Sequence, residues 1–345
     1  MAILKTDTVS GIGTEGTVFE GDITFDSFNY MTLPKGTTTQ SNKGRALLGG
    51  GHDGSSATNH IHYLNIQSQG NTIDFGDLTV ARWIPAATAS STRGVWNGGG
   101  GPYVNTIDFV TIANTANATD FGDLTSTRTY FMGYSSSTRG IAAGGGDPSL
   151  SDVIDFVTIA TTGNASDFGD STSGNKVQSS HFASPTRAIQ AGGGTPSSVN
   201  TIDFYTISTQ GNAADFGDTH SFASHGHGAG SNAVRGVLMG GASYPGLNPN
   251  QNNNNAIQYV TISSLGDAID FGDLTVQNRG QACGLSDSLR VACAGGSTDA
   301  SANTATNAIE YVQIMTTGNS IDFGDMSATT LRTQGCCGDS HGGLA

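Results

Sequence analysis

Residues 139–170 read RGIAAGGGDPSLSDVIDFVTIATTGNASDFGD. Three short segments of distinct character lie in this stretch. An arginine opens a run of small and apolar residues that ends in three glycines. A second run, VIDFVTIA, alternates apolar and polar side chains with period two, the mark of a half-buried strand. TTGN then favours a reversal with positive φ at glycine, and DFGD closes the stretch.

Every piece recurs. DFGD occurs six times, with Phe75, Phe121, Phe168, Phe216, Phe271 and Phe323 spaced by 46, 47, 48, 55 and 52 residues. That spacing fits propeller blades of about 40–50 residues. The arginine segments begin at Arg45, Arg93, Arg139, Arg187, Arg235 and Arg290. Their small side chains suit a strand near a crowded axis, and their glycines suit an abrupt turn. The alternating segment carries one aromatic per unit, namely Tyr63, Phe109, Phe156, Phe204, Tyr259 and Tyr311. These rings are expected to pack between neighbouring sheets. A fourth, weaker segment, such as WIPAATAS (83–90) or YFMGYSSS (130–137), leads back to the next arginine. Four strands in each of six units predict an all-β, six-bladed propeller. Helix caps followed by a 3.6-residue period are missing.

The order of the pieces predicts how the ring closes. The first unit lacks its fourth-type segment, having only GTTTQSNK before Gly44. The tail RTQGCCGDSHGG (332–343) matches RGQACGLSDS (279–288), the start of the last complete unit. The C-terminus is therefore expected to supply blade one's missing strand and tie the ring shut without a covalent link. Closure would also remove sheet edges that invite aggregation. Residues 41–345 form the expected propeller, and residues 1–40 an N-terminal extension. Within the extension VFEGDITFD alternates like a strand, with Val18, Phe19, Ile23 and Phe25 apolar.

Composition narrows the function. Charged residues are 12% of the chain, glycines number 50 of 345, and formal net charge is −14. No basic stripe exists, which argues against nucleic acid as a partner. No apolar run is long enough for a membrane span, and the start MAILKTDTVSG lacks a signal-peptide core. Cys283, Cys293, Cys336 and Cys337 are too few and too clustered for a disulfide framework, and read as small buried thiols.

The recurring unit resembles the kelch repeat: Arg, an apolar strand ending in Gly-Gly, an alternating strand with Tyr or Phe, then an aromatic. Phe of DFGD stands where kelch units usually carry Trp. The fuller phrase RGV..GGG...NTIDFVTIATTGNA.DFGDLT, over about residues 44–345, is also similar to tail-fibre-like repeat proteins of marine bacteriophages. The leader GTEGTVFEGDITFDSFNYMTLPKGTTTQ (13–40) resembles the segment preceding such repeats. The resemblance implies a virion structural protein, made in a host cytoplasm, with a host-surface glycan or protein as target. It implies other virion proteins as partners, through the extension, and a homo-oligomer.

Candidate sites divide into scaffold and surface. All ten arginines occupy repeat positions and read as ion pairs or backbone hydrogen bonds linking blades, against an anion-binding ring. The DFGD carboxylates read as turn caps and arginine partners, against calcium ligands. His220, His225 and His227 are close enough to hold a metal, yet they fall in a strand position. His60 and His62 replace the Thr and Asp of other copies. No Ser-His-Asp context, phosphate loop, zinc motif or Tyr–Cys copper constellation is present, so neither an enzyme nor a cofactor is expected. The loop after the glycine cluster varies most, and insertions on one face of a repeat array mark a binding face. It is longest in ASYPGLNPNQNNNN (242–255) and STDASANTAT (297–306). Tyr244, Asn248, Asn250, Asn252, Asn253, Asp299 and Asn303 are the expected binding residues, able to stack on or hydrogen-bond a sugar or a protein neighbour. The alternative function is a cellular kelch-type carbohydrate-binding or carbohydrate-active protein.

Overall fold

The computed structural model describes residues 44–340, apart from 54, 147–149, 172–176, 195–197, 221–225, 243–253, 277–281, 298–304 and 328–333. The N-terminal extension lies outside these residues. The described residues form six four-stranded antiparallel sheets, the blades of a six-bladed β-propeller. Blade two shows the order: Ala86–Ala89 innermost, then Arg93–Gly99, Val104–Thr111 and, outermost, Thr119–Asp123. The innermost strands of successive blades touch one another around the axis. The short AATA-type segment therefore lies nearest the axis, and the arginine–glycine strand is second. This corrects the expectation above. Crowding at the axis selects the shorter strand with the smaller side chains: a Cβ on Gly133 or Gly284 there would collide with the Ala87 or Ala229 backbone.

DFGD is explained by a bulge. In blade two Ile107 pairs with Gly122, whereas the next residue, Asp108, pairs with Asp120. Phe121 is the extra residue, turned inward, and every blade repeats the shift. Each DFGD phenylalanine is 2–3% exposed. It meets its own blade's strand-three aromatic edge to face, at 5.7–6.3 Å between ring centres. The glycine has φ of +143° to +150°. A Cβ at Gly122, Gly169, Gly217, Gly272 or Gly324 would lie 2.5–2.7 Å from a carbonyl oxygen of the adjoining blade. The turn of one blade docks there: Asn164 Oδ1 accepts from the Asp123 amide at 3.0 Å, and the Gly163 amide donates to Phe121 O at 2.8 Å.

The core is six layers between blades rather than one centre. Phe121 packs with Val95, Ile107 and Leu124 of blade two and with Phe131, Val157 and Ile159 of blade three. Phe168 occupies the matching layer one blade on. Truncating such a side chain removes transfer energy and leaves a cavity. Phe121→Ala and Phe168→Ala are each expected to lower stability by about 3–5 kcal/mol. Denaturant unfolding of both variants checks this, and losses below about 1 kcal/mol at both would contradict the layer.

The ring is closed by the expected strand. Gly335–Gly338 pairs antiparallel with Arg45–Gly49, with Leu48 opposite Cys336 and Leu47 opposite Cys337. The turn chemistry is conserved across the chain ends. In blade two the Ser90 hydroxyl accepts from the Thr92 and Arg93 amides, and Ser136, Ser184, Asn232 and Asp287 do the same in blades three to six. In blade one Asp339, 295 residues away, accepts from the Gly44 amide at 2.6 Å. The expectation of four thiols fails for two of them. Cys283 and Cys336 form a disulfide between the innermost strands of blades six and one. Neighbouring innermost strands bring these two side chains together, whatever their distance in sequence. The bond fastens the closing strand to blade six; its junction with Arg45–Gly49 rests on hydrogen bonds and packing. Cys293 and Cys337 are buried thiols as expected, and burial pushes Cys337 up to about 12.

Candidate functional site

The six strand-opening arginines are scaffold. Each guanidinium lies 4.0–4.9 Å from the centre of its own blade's aromatic ring. Each Nη1 donates, at 2.8–3.1 Å, to an isoleucine carbonyl of the next blade: Ile112, Ile159, Ile207, Ile262, Ile314 and, closing the circle, Ile66. Cation–π contact thus holds each arginine on its own blade, and a charged hydrogen bond links that blade to the next.

Arg82 and Arg128 serve a second position. Arg82 Nη2 donates to Asp108 Oδ2 at 2.8 Å, with both side chains fully buried. Arg128 pairs with Asp155 in the same way. Thr79 and Thr125 hydroxyls complete the two carboxylates' hydrogen bonds. Burial pulls both guanidinium pKa values below their ordinary range, and the aspartates oppose the shift. Here the sequence expectation needs correction. The acids that pair with arginine belong to the alternating strand. Among the described residues, the DFGD carboxylates make no ion pair with arginine, because the bulge turns them to the surface while their backbone groups bond the next blade.

The histidines are dispersed. His227 is buried, with Nδ1 2.9 Å from the Ser180 hydroxyl. His220 is exposed, and His225 lies outside the described residues. Among the described residues no group of three or more His, Cys, Asp or Glu is placed to hold a metal. His60 and His62 occupy the positions of Thr106 and Asp108, as expected. Burial, and then His60, lower the pKa of His62 below 6.5. The unfolded chain therefore takes up this proton first. The associated stability is present above about pH 6.5 and is lost as pH falls towards the folded value. In His62→Gln, the dependence of thermal unfolding on pH is expected to flatten below about pH 6.5. An unchanged profile would contradict the assignment.

A cavity of about 60 Å³ lies on the axis, lined by Tyr134, His181, Ser231, Ser286 and Cys336 among others. It holds a few waters at most. Its serines knit neighbouring innermost strands: Ser135 accepts from the Ala89 amide, Ser231 from Ala183, and Ser286 from Ser231.

The two ends of the ring differ. One end carries the arginine turns, and the other carries the variable glycine loops. Tyr244, Asn248, Asn250, Asn252, Asn253, Asp299 and Asn303 lie outside the described residues. Their loops' stems are described, with Asn254 bonded to Gly241 and Ser297 bridged to Ala305. On the same glycine-loop end stands an aromatic corner that sequence reasoning missed. Trp83 bridges Gly100 through two 2.9 Å backbone hydrogen bonds. Its ring lies 5.3 Å from Tyr130 and 6.5 Å from Tyr103, edge to face with both. Tyr103 is 49% exposed. The signal was available: Trp83 stands where the next two repeats have Thr129 and Val177, and the short PYV loop carries Tyr103.

Exposed apolar side chains are unevenly shared. Nine large ones are exposed among the described residues, and seven belong to blades five, six and one: Val234, Leu265, Ile269, Leu289, Met315, Ile321 and Ile73. Ile73, Ile269 and Ile321 open their outer strands, where the other blades have Thr119, Ser166 and Ala214. Val234 and Leu289 precede an arginine where blades two to four have threonine. No protein-family model and no curated protein matches the chain.

Proposed function

We propose that the chain is a non-enzymatic structural protein of a virion, a tail-fibre, receptor-binding or capsid-surface component built on a kelch-type ring, which mediates assembly, host-surface attachment or both. The observation that carries this reading is the one-sided apolar arc of blades five, six and one. Exposed apolar side chains gathered on one side mark protein–protein contact, and the repeat positions that hold them carry small or polar residues in blades two to four. The occupant that fits a homo-oligomeric surface component is a second copy of the chain. The repeat likeness to phage tail-fibre-like proteins supports the same reading, as does a scaffold whose arginines serve contacts between blades.

The test is mass spectrometry of purified particles, with the wild-type chain and with Ile269→Asp/Ile321→Asp. The wild-type chain is expected in particles. The double variant is expected to fold, since both side chains are over half exposed, yet to be at least tenfold depleted. Absence of the wild-type chain from particles overturns the reading. The second reading, a cellular kelch-type carbohydrate-binding protein, is favoured by the aromatic corner.

A further inference from the structure

The geometry points to the corner formed by Trp83, Tyr103 and Tyr130 as a binding site for a neutral saccharide. The inference deepens the attachment reading above by naming a ligand class for the glycine-loop end. It does not require that the chain be part of a particle.

Tyr130 sits at φ +60°, and its carbonyl accepts from the Gln178 amide at 2.8 Å. Trp83 is pinned by its bridge to Gly100, and its indole lies over Gly100 and Gly101, where added Cβ atoms would approach to 3.0 and 2.7 Å. The Trp83 and Tyr130 backbones are therefore fixed, which lowers the ordering cost of binding at this corner. The positive φ itself is architecture, shared by Ile84 and Gln178 at the same repeat position. What distinguishes blades two and three is an aromatic ring here: Trp83 beside the positive-φ Ile84 in one, and Tyr130 at the position itself in the other.

Tyr103 is half-exposed, so a ligand can reach its ring. The C–H face of a pyranose is flat and apolar, while its rim is a belt of hydroxyls. Tyr and Trp match that pattern, with an apolar body and a polar tip. Blade one borders the corner, since Ala57 Cβ would be 2.9 Å from a Cβ on Gly101. The same loop carries His52 and Asp53. The Asp53 carboxylate accepts from the Ser55 and Ser56 amides at 2.7 and 2.8 Å, and these bonds hold its pKa below the ordinary value. An ionised carboxylate on a bordering loop disfavours an anionic ligand, as does the formal charge of −14. A neutral sugar is the class that meets both the rings and the charge.

The chain offers its own probe. Its two tryptophans are Trp83, at the corner, and Trp96, which is fully buried. Full-length protein is titrated with maltohexaose, cellohexaose, mannohexaose and chitohexaose, with tryptophan emission followed, and is also tested on an array of neutral glycans. At least one is expected to bind with a change in emission, and Trp83→Phe is expected to remove that change. Trp83 also packs on Gly100, so Tyr103→Ala provides a variant at a half-exposed side chain. It is expected to weaken binding at least tenfold with its melting temperature unchanged. Failure of every neutral glycan to bind, or binding by Tyr103→Ala and Tyr130→Ala as tight as the wild-type protein's, overturns the inference.

Discussion

A chain ending at Asp325 is expected to be recovered aggregated, or to unfold roughly 10 °C or more below the full chain, at about 2–4 °C per kcal/mol for chains of this order of size. The deletion removes Gly335–Gly338 and with it blade one's innermost strand. Several contacts go together. The Trp96 indole loses its acceptor, Gly335 O, at 3.0 Å inside the protein. Cys337 leaves the layer between blades one and two, where it packs with Leu47 and Ala89. The Gly44 amide loses Asp339, and Cys283 loses Cys336. Arg45–Gly49 becomes a bare edge of mostly buried, apolar residues, the kind of strand that recruits another chain. Solubility and thermal unfolding of the truncated chain check this. Solubility and stability equal to the parent's would show that the ring does not depend on its closing strand.

Arg82→Met is expected to cost about 3–5 kcal/mol. The side chain is fully buried and is held by Asp108, with further hydrogen bonds to Thr106 O and Trp96 O. Removing the cation leaves the Asp108 carboxylate buried with only Thr79 to bond it. Replacing both members, as in Arg82→Met/Asp108→Leu, removes the uncompensated charge and is expected to recover a large share of the loss. Denaturant unfolding of the two variants checks the sign of the difference. A double variant less stable than Arg82→Met would mean that Asp108 supports the blade independently of its partner.

The ring was legible in the sequence because its causes are local and repeated six times. Period-two alternation marks the strands, and the glycine pairs mark the turns. The tail's likeness to residues 279–288 gives the closure. Three things depend on what meets in space, and a single repeat does not contain them. The order of strands from the axis rests on the Gly133 and Gly284 close approaches between blades. The assignment of acids to arginines rests on the DFGD bulge, which shifts Phe121 inward and the carboxylates outward. The Cys283–Cys336 bond joins two strands whose adjacency exists only in the closed ring. The aromatic corner is a different case. Trp83 was visible as a departure from Thr129 and Val177, but its two neighbours come from a loop of blade two and the crossover into blade three.

Hydrogen exchange of the backbone amides in Gly335–Gly338, compared with those of the innermost strand Ser180–Ala183, tests closure most directly. If the two ends of the chain share blade one as described, Cys336–Gly338 amides are expected to be protected to the same degree as those of the interior blade, and Ala46–Leu48 amides with them. Exchange of both segments at the rate of an unpaired strand edge would contradict a ring closed by its C-terminal strand.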